Sequence, residues 1–131
     1  MSRLARTPVA AIESDRAGAA RSLAMEKKVC LVLKGERTLI AFSDGRVWIN
    51  PTGSPAMATA GTGDVLTGLI AGFLAQFKDQ PEQAIAAAVY LHGLAGELGA
   101  SAKGEKSLIA TDLLEFLPAA IHACANLSDP V

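Results

Sequence analysis

Asn50-Pro51-Thr52-Gly53-Ser54-Pro55-Ala56-Met57-Ala58-Thr59-Ala60-Gly61-Thr62-Gly63-Asp64-Val65-Leu66-Thr67-Gly68 is a proline-bearing loop that passes through a glycine-rich turn straight into an amphipathic stretch. Glycine lets a backbone adopt positive φ and approach a ligand closely. The free N–H groups of a helix's first turn then face that ligand, with the positive end of the helix dipole behind them. The turn from Ala58 to Asp64 is therefore expected to form an anion site, most simply for a phosphate. No Lys-Ser or Lys-Thr follows the glycines, so this is not a Walker A loop. The spacing and the preceding strand do not fit the dinucleotide fingerprint either. Asp64 has two readings: an N-cap that satisfies orphan amides, or a carboxylate placed beside a phosphate to take a proton from a substrate hydroxyl.

Downstream, the spacing predicts three helices. Residues 63–77 carry a wide stripe of Val65, Leu66, Leu69, Ile70, Phe73, Leu74 and Phe77. Residues 81–98 open on Pro81, a good first helical residue, and are apolar on nearly every side from 84 to 91. Residues 111–125 follow, with Thr111 or Asp112 as cap and Pro118 as a candidate kink. Upstream, residues 12–28 read as one helix. Residues 29–33, a continuous apolar run, read as a strand buried on both faces, as in a parallel sheet. Residues 38–42 and 46–49 read as two strands joined by Ser43-Asp44-Gly45 in a hairpin. This is an α/β pattern with too little sheet for so apolar a set of helices.

The chain has 131 residues, enough for one domain and too few for two. Half the residues are hydrophobic and 19% are charged, so a core can form. A net charge of −1 and 5% aromatic residues give no basis for binding nucleic acid or an anionic membrane. No apolar run is long enough to span a bilayer. Residues 1–6 lack the apolar core of a secretory signal. Cys30 and Cys124 make no metal or disulfide pattern, and the expected compartment is the reducing cytoplasm. Cys30 reads as a small core residue, and His122 as a surface residue. His92 stands beside Gly93 and Gly96, where close packing is the simpler reading and catalysis the other.

The chain resembles the ADP- or ATP-dependent NAD(P)H-hydrate dehydratases of the ribokinase-like superfamily. Residues 50–68 carry the resemblance, with Leu31-Val32-Leu33-Lys34-Gly35, Leu91-His92-Gly93-Leu94-Ala95-Gly96 and Ala110-Thr111-Asp112-Leu113-Leu114 supporting it. It spans residues 15–117. The resemblance implies repair of hydrated NADH and NADPH: the ring hydroxyl is phosphorylated from ADP or ATP, and phosphate is then eliminated. It implies that Asp64 contacts the substrate and acts as base. It implies that Gly61, Thr62 and Gly63 hold the transferred phosphoryl group, with Gly63 also touching the nucleotide. Lys34, Gly35, Glu36, Arg37 and Thr38 match the stretch that contacts the AMP portion. Mg2+ is implied through the nucleotide phosphates, with no protein ligand for it. Read from the residues alone, Lys34 is first a solvated turn lysine, and only the resemblance turns it toward the nucleotide.

Two features depart from the family. Its members carry a further N-terminal half that completes the sheet and much of the pocket. The family's Thr-Pro-His-Pro-Gly-Glu segment begins here as Thr7-Pro8 but continues Val9-Ala10-Ala11, so its substrate-contacting histidine has no carrier. The resemblance thus implies a partial ribokinase-like domain over residues 1–131, the C-terminal half. The missing half or a homo-oligomer would be the partner of its open edge. A small-molecule kinase for a vitamin-type alcohol shares the glycine turn, and a third reading is a non-catalytic remnant that binds nucleotide or a partner subunit through its uncovered sheet edge. A kinase releases a stable phosphate ester, whereas the dehydratase releases inorganic phosphate and restored NADH.

Overall fold

The computed structural model describes residues 1–125. The chain divides into two compact units, Met1–Asn50 and a second beginning at Pro51.

In the first unit, α1 (Ser2–Ala5), α2 (Val9–Ser14) and α3 (Arg16–Lys27) lead into β1 (Leu31–Leu33), β2 (Leu39–Ala41) and β3 (Val47–Ile49). The expected single helix over 12–28 is broken at Asp15. Its carboxylate accepts the Gly18 N–H at 2.8 Å, capping α3 and ending α2. Ile12 goes with α2, where it is buried. The sheet is antiparallel in the order β1-β2-β3, with Val32 opposite Ile40 and Ile40 opposite Trp48. The hairpin of β2 and β3 is as expected. The parallel, doubly buried first strand is not: β1 is a half-buried edge strand. Residues 28–30 are consumed in turning from α3 to the sheet, with Lys28 left-handed at φ 55 and its N–H bonded to Ala24 and Met25 carbonyls. Val29 and Cys30 are consequently exposed, so Cys30 is not a core residue. Alanines let α3 lie close on the sheet: Ala20 and Ala24 meet Ala41, with Leu31, Leu33 and Val47 around them. Phe42 and Trp48 meet edge to face at 4.6 Å, and the Arg46 guanidinium lies 4.9 Å from the Phe42 ring centre.

In the second unit a 3-10 turn (Pro55–Met57) precedes α4 (Thr62–Gln76), α5 (Pro81–Lys103) and α6 (Asp112–Ala125). Helix α5 is the axis of this unit, and its length exceeds the expected end at residue 98. Gly99, just past the expected end, sits inside it. A Cβ on Gly99 would lie 2.7 Å from Leu108 Cδ1, so glycine there admits a neighbour. The helix ends instead at Gly104, φ 88. Leu91, Ala95, Leu113 and Ala120 form the core, joined by Phe73, Phe116 and the half-buried Cys124. Pro118 lies within a continuous α6, and His122 is exposed as expected. The α4 stripe is incompletely covered, in line with the shortage of sheet: Leu66 alone of it is buried, and Phe77 is 52% exposed. No helix among the described residues is long and apolar enough to cross a membrane.

A charged cluster ties α5 to α6. Lys103 Nζ donates to Asp112 Oδ1 and Glu115 Oε2, both at 2.6 Å. The other Asp112 oxygen accepts the Ile109 N–H at 2.9 Å, so Asp112 reaches backward rather than capping forward. The Ile109 N–H, and then Lys103, hold the Asp112 carboxyl below its usual range. Asp112 and Glu115 push the Lys103 ammonium up. A lowered carboxyl stabilises the fold above its unfolded pKa of about 3.9, and that contribution is lost as pH falls through the folded value. A raised ammonium stabilises below about 10.4, and its contribution is lost as pH rises through the folded value. The cluster's contribution is therefore expected to be level from about pH 4 to about pH 10 and to decline on both sides. Asp112→Asn still accepts from Ile109. It should lower the plateau and shrink the acid-side decline, as read from urea midpoints across pH.

Candidate functional site

The glycine-rich turn has the geometry that its composition predicts. Gly61 is the N-cap of α4 at φ 93, ψ −20, a conformation that a side chain would strain. Its carbonyl accepts from Asp64 N–H at 3.0 Å and Val65 N–H at 3.1 Å. The N–H groups of Thr62 and Gly63 stand ahead of these first bonds, where a helix offers them no carbonyl. Asp64 is the third residue of α4 and is exposed. It is thus not the N-cap, and the cap reading of Asp64 gives way.

The Thr62 side chain is turned inward. Its Oγ1 lies 3.0 Å from both the Met57 and the Thr59 carbonyls, to which it donates, so this residue can offer a ligand its amide rather than its hydroxyl. The loop before the turn is moored on one face of α5. Thr52 Oγ1 donates to the Tyr90 carbonyl at 2.8 Å, and Gly53 N–H donates to Glu97 Oε1 at 2.8 Å. Gly93 and Gly96 make room for this loop, not for another helix. A Cβ on Gly93 would lie 2.2 Å from Thr52 Oγ1, and one on Gly96 would lie 2.1 Å from Met57 Sδ. His92, buried on the same helix, places Nε2 2.8 Å from the Thr62 carbonyl oxygen.

The second candidate stretch, residues 34–38, belongs to the first unit. It is a turn with Gly35 at φ 142 and Arg37 at φ 51. Lys34, Gly35, Glu36 and Arg37 are exposed and Thr38 is half-buried. Thr38 Oγ1 donates to the Gly35 carbonyl at 3.3 Å, and the Thr38 carbonyl accepts Asn50 N–H at 2.8 Å. Arg16 holds the turn from α3: Nη1 donates to the Glu36 carbonyl at 2.6 Å and Nη2 to that of Lys34 at 3.3 Å. A Cβ on Gly35 would meet that guanidinium at 2.7 Å. Arg16 is a functional-site support that the sequence motifs do not include. No local pattern marks it, because its partners lie 18 and 20 residues away. Among the described residues no three His, Cys, Asp or Glu side chains cluster to hold a metal ion.

The sequence pattern of the NAD(P)H-hydrate dehydratases matches residues 1–119. This chain belongs to the NAD(P)H-hydrate dehydratase family. A bifunctional NAD(P)H-hydrate repair enzyme from Moorella thermoacetica is 49% identical over 131 residues, which is 100% of this chain and 24% of the relative. The crystal structure of the ADP/ATP-dependent NAD(P)H-hydrate dehydratase from Bacillus subtilis, co-crystallised with ATP/Mg2+ and soaked with CoA, superposes with a TM-score of 0.89. It is 41% identical, over 93% of this chain and 45% of that one. A ribokinase-like superfamily protein from Enterococcus faecalis superposes with a TM-score of 0.75 at 39% identity, over 93% of this chain and 40% of that one. The α/β, ribokinase-like class expected from the dehydratase motif is therefore the observed class. The chain spans less than half the length of each of these relatives.

Proposed function

We propose that this chain is the nucleotide-facing, C-terminal half of an ADP- or ATP-dependent NAD(P)H-hydrate dehydratase domain. The observation that carries the reading is the Gly61–Asp64 turn. Two amides, of Thr62 and Gly63, precede the first helix bonds, and an exposed carboxylate follows at the next residue. In this reading the amides of Thr62 and Gly63 hold the phosphoryl group being transferred, and Gly61 supplies the backbone bend that aims them. Asp64 accepts the proton of the ring hydroxyl as its oxygen attacks phosphorus. Nucleotide loses its terminal phosphoryl group, the hydroxyl becomes a phosphate ester, and phosphate then leaves while the adjacent ring carbon gives up a proton to solvent, which forms the ring double bond. Hydroxide would leave far less readily.

Residues 34–38 take the AMP portion, with Lys34, Gly35, Glu36, Arg37 and Thr38 on a turn that Arg16 holds in shape. Mg2+ arrives on the nucleotide phosphates. The hydrated nicotinamide needs contacts that Val9, standing where the family motif has histidine, does not offer. The remaining pocket belongs to the N-terminal half of the domain or to a partner copy, and the incompletely covered stripe of α4 supports such a partner. A reducing, cytoplasmic setting suits a sequence whose two cysteines, Cys30 and Cys124, follow no disulfide pattern.

Calorimetric titration of the folded chain with ADP and with ATP, each with Mg2+, tests the reading. Saturable one-site binding is the expected result. A folded chain that binds neither nucleotide would overturn it. Product analysis in a complemented assembly then separates dehydratase from kinase: restored NADH and inorganic phosphate are expected, not a stable ester.

A further inference from the structure

We infer that His92 is a positioning residue of the anion-binding turn, acting through the Thr62–Gly63 peptide plane. The inference deepens the proposed function and rests on that reading of the turn. His92 Nε2 lies 2.8 Å from the Thr62 carbonyl oxygen, across 30 residues of chain. A carbonyl oxygen only accepts, so Nε2 carries the proton and donates.

The carbonyl of Thr62 and the N–H of Gly63 are the two ends of one peptide group. That group is planar and trans, so its C=O and N–H point in opposite directions and turn together. Anchoring the oxygen on the imidazole therefore sets the direction of the Gly63 N–H. Donation to the carbonyl also draws electron density along the peptide and makes that N–H a stronger donor, by an effect on the order of 10–30% per bond. Thr62 is held a second time where its hydroxyl donates to the Met57 and Thr59 carbonyls. The imidazole is itself fixed, since His92 is 8% exposed and its neighbour Gly93 is pressed against Thr52. His92 thus reaches the transferred phosphoryl group through one peptide bond and without touching it.

NMR of the full chain as wild type, His92→Leu and His92→Gln tests this. Wild-type His92 should show a protonated Nε2. In His92→Leu the Thr62 carbonyl and Gly63 amide resonances should move upfield, and ADP affinity should fall by about three- to tenfold. The carboxamide of His92→Gln donates to the same oxygen and should restore both. An Nδ1–H tautomer in the wild type, or a folded His92→Leu with unmoved Thr62 and Gly63 resonances, would overturn the inference. If His92→Leu does not fold, the wild-type tautomer and the His92→Gln resonances decide. If the wild type binds no ADP, the proposed function fails, while tautomer and resonances still decide the role of His92.

Discussion

Asp64→Asn should lower turnover of hydrated NADH by about 10²- to 10⁴-fold, the range a positioned general base contributes. Nucleotide affinity should change by no more than about twofold, because the contacts proposed for the nucleotide are backbone amides and residues 34–38. The substitution is conservative for the fold. Asp64 is exposed, lies beyond the N-cap, and Asn keeps its size. What it removes is the site that receives the substrate's proton. The measurement is recovery of dihydronicotinamide absorbance in an assembly that supplies the N-terminal half, beside a calorimetric titration of the same variant. A drop in kcat with an unchanged nucleotide Kd fits a base. A variant that turned over normally would show that Asp64 is not one, and equal losses in turnover and Kd would place Asp64 in nucleotide binding instead.

The largest stability effect is expected at Gly93, and Gly96 is its control. Alanine at either position should gain about 1 kcal/mol of helix propensity over glycine. At Gly93 the new Cβ would meet Thr52 Oγ1 at 2.2 Å and the Thr52 backbone C and O at 2.8 Å. Backbone cannot rotate away, so the loop must lift. Overpacking of this kind costs roughly 1–3 kcal/mol. Losing the Thr52–Tyr90 hydrogen bond adds about 1 kcal/mol. Gly93→Ala should therefore destabilise by about 2 kcal/mol net. At Gly96 the obstruction is the Met57 side chain, with Sδ at 2.1 Å and Cγ at 2.6 Å. A methionine can change rotamer, so Gly96→Ala should stay within about 1 kcal/mol of the wild type. Urea unfolding of both variants measures the difference. Faster amide exchange at Gly53 in Gly93→Ala would locate the damage in the loop. Equal costs at the two positions would mean that the loop is not packed on α5 as described.

These contrasts also show what was readable in the residues. The bend at Gly61 was legible because it is local: glycine, a helix start and a following carboxylate all act within one turn. The hairpin of β2 and β3 was legible for the same reason. Helix α3 was misjudged at its start, since apolar spacing continues across Asp15 and only the Asp15–Gly18 hydrogen bond shows the break. Cys30 was misplaced because an apolar run reveals hydrophobicity and not where the turn into the strand is spent. Helix α5 runs beyond the expected residue 98 because Gly99 stays within it and admits Leu108, which lies outside the helix and is invisible to local spacing.

By itself the sequence determined the α/β class, the glycine turn into α4, the family and the candidate residues from Lys34 to Asp64. These follow from backbone conformational rules and from a motif contiguous along the chain. Only the tertiary structure decided what holds those candidates in place. Arg16 reaches the turn of residues 34–38 across 20 residues, His92 reaches Thr62 across 30, and Glu97 reaches Gly53 across 44. The physical reason is that a side-chain hydrogen bond depends on distance in space, and periodicity along a chain carries no information about which distant carbonyl or amide folding brings within reach.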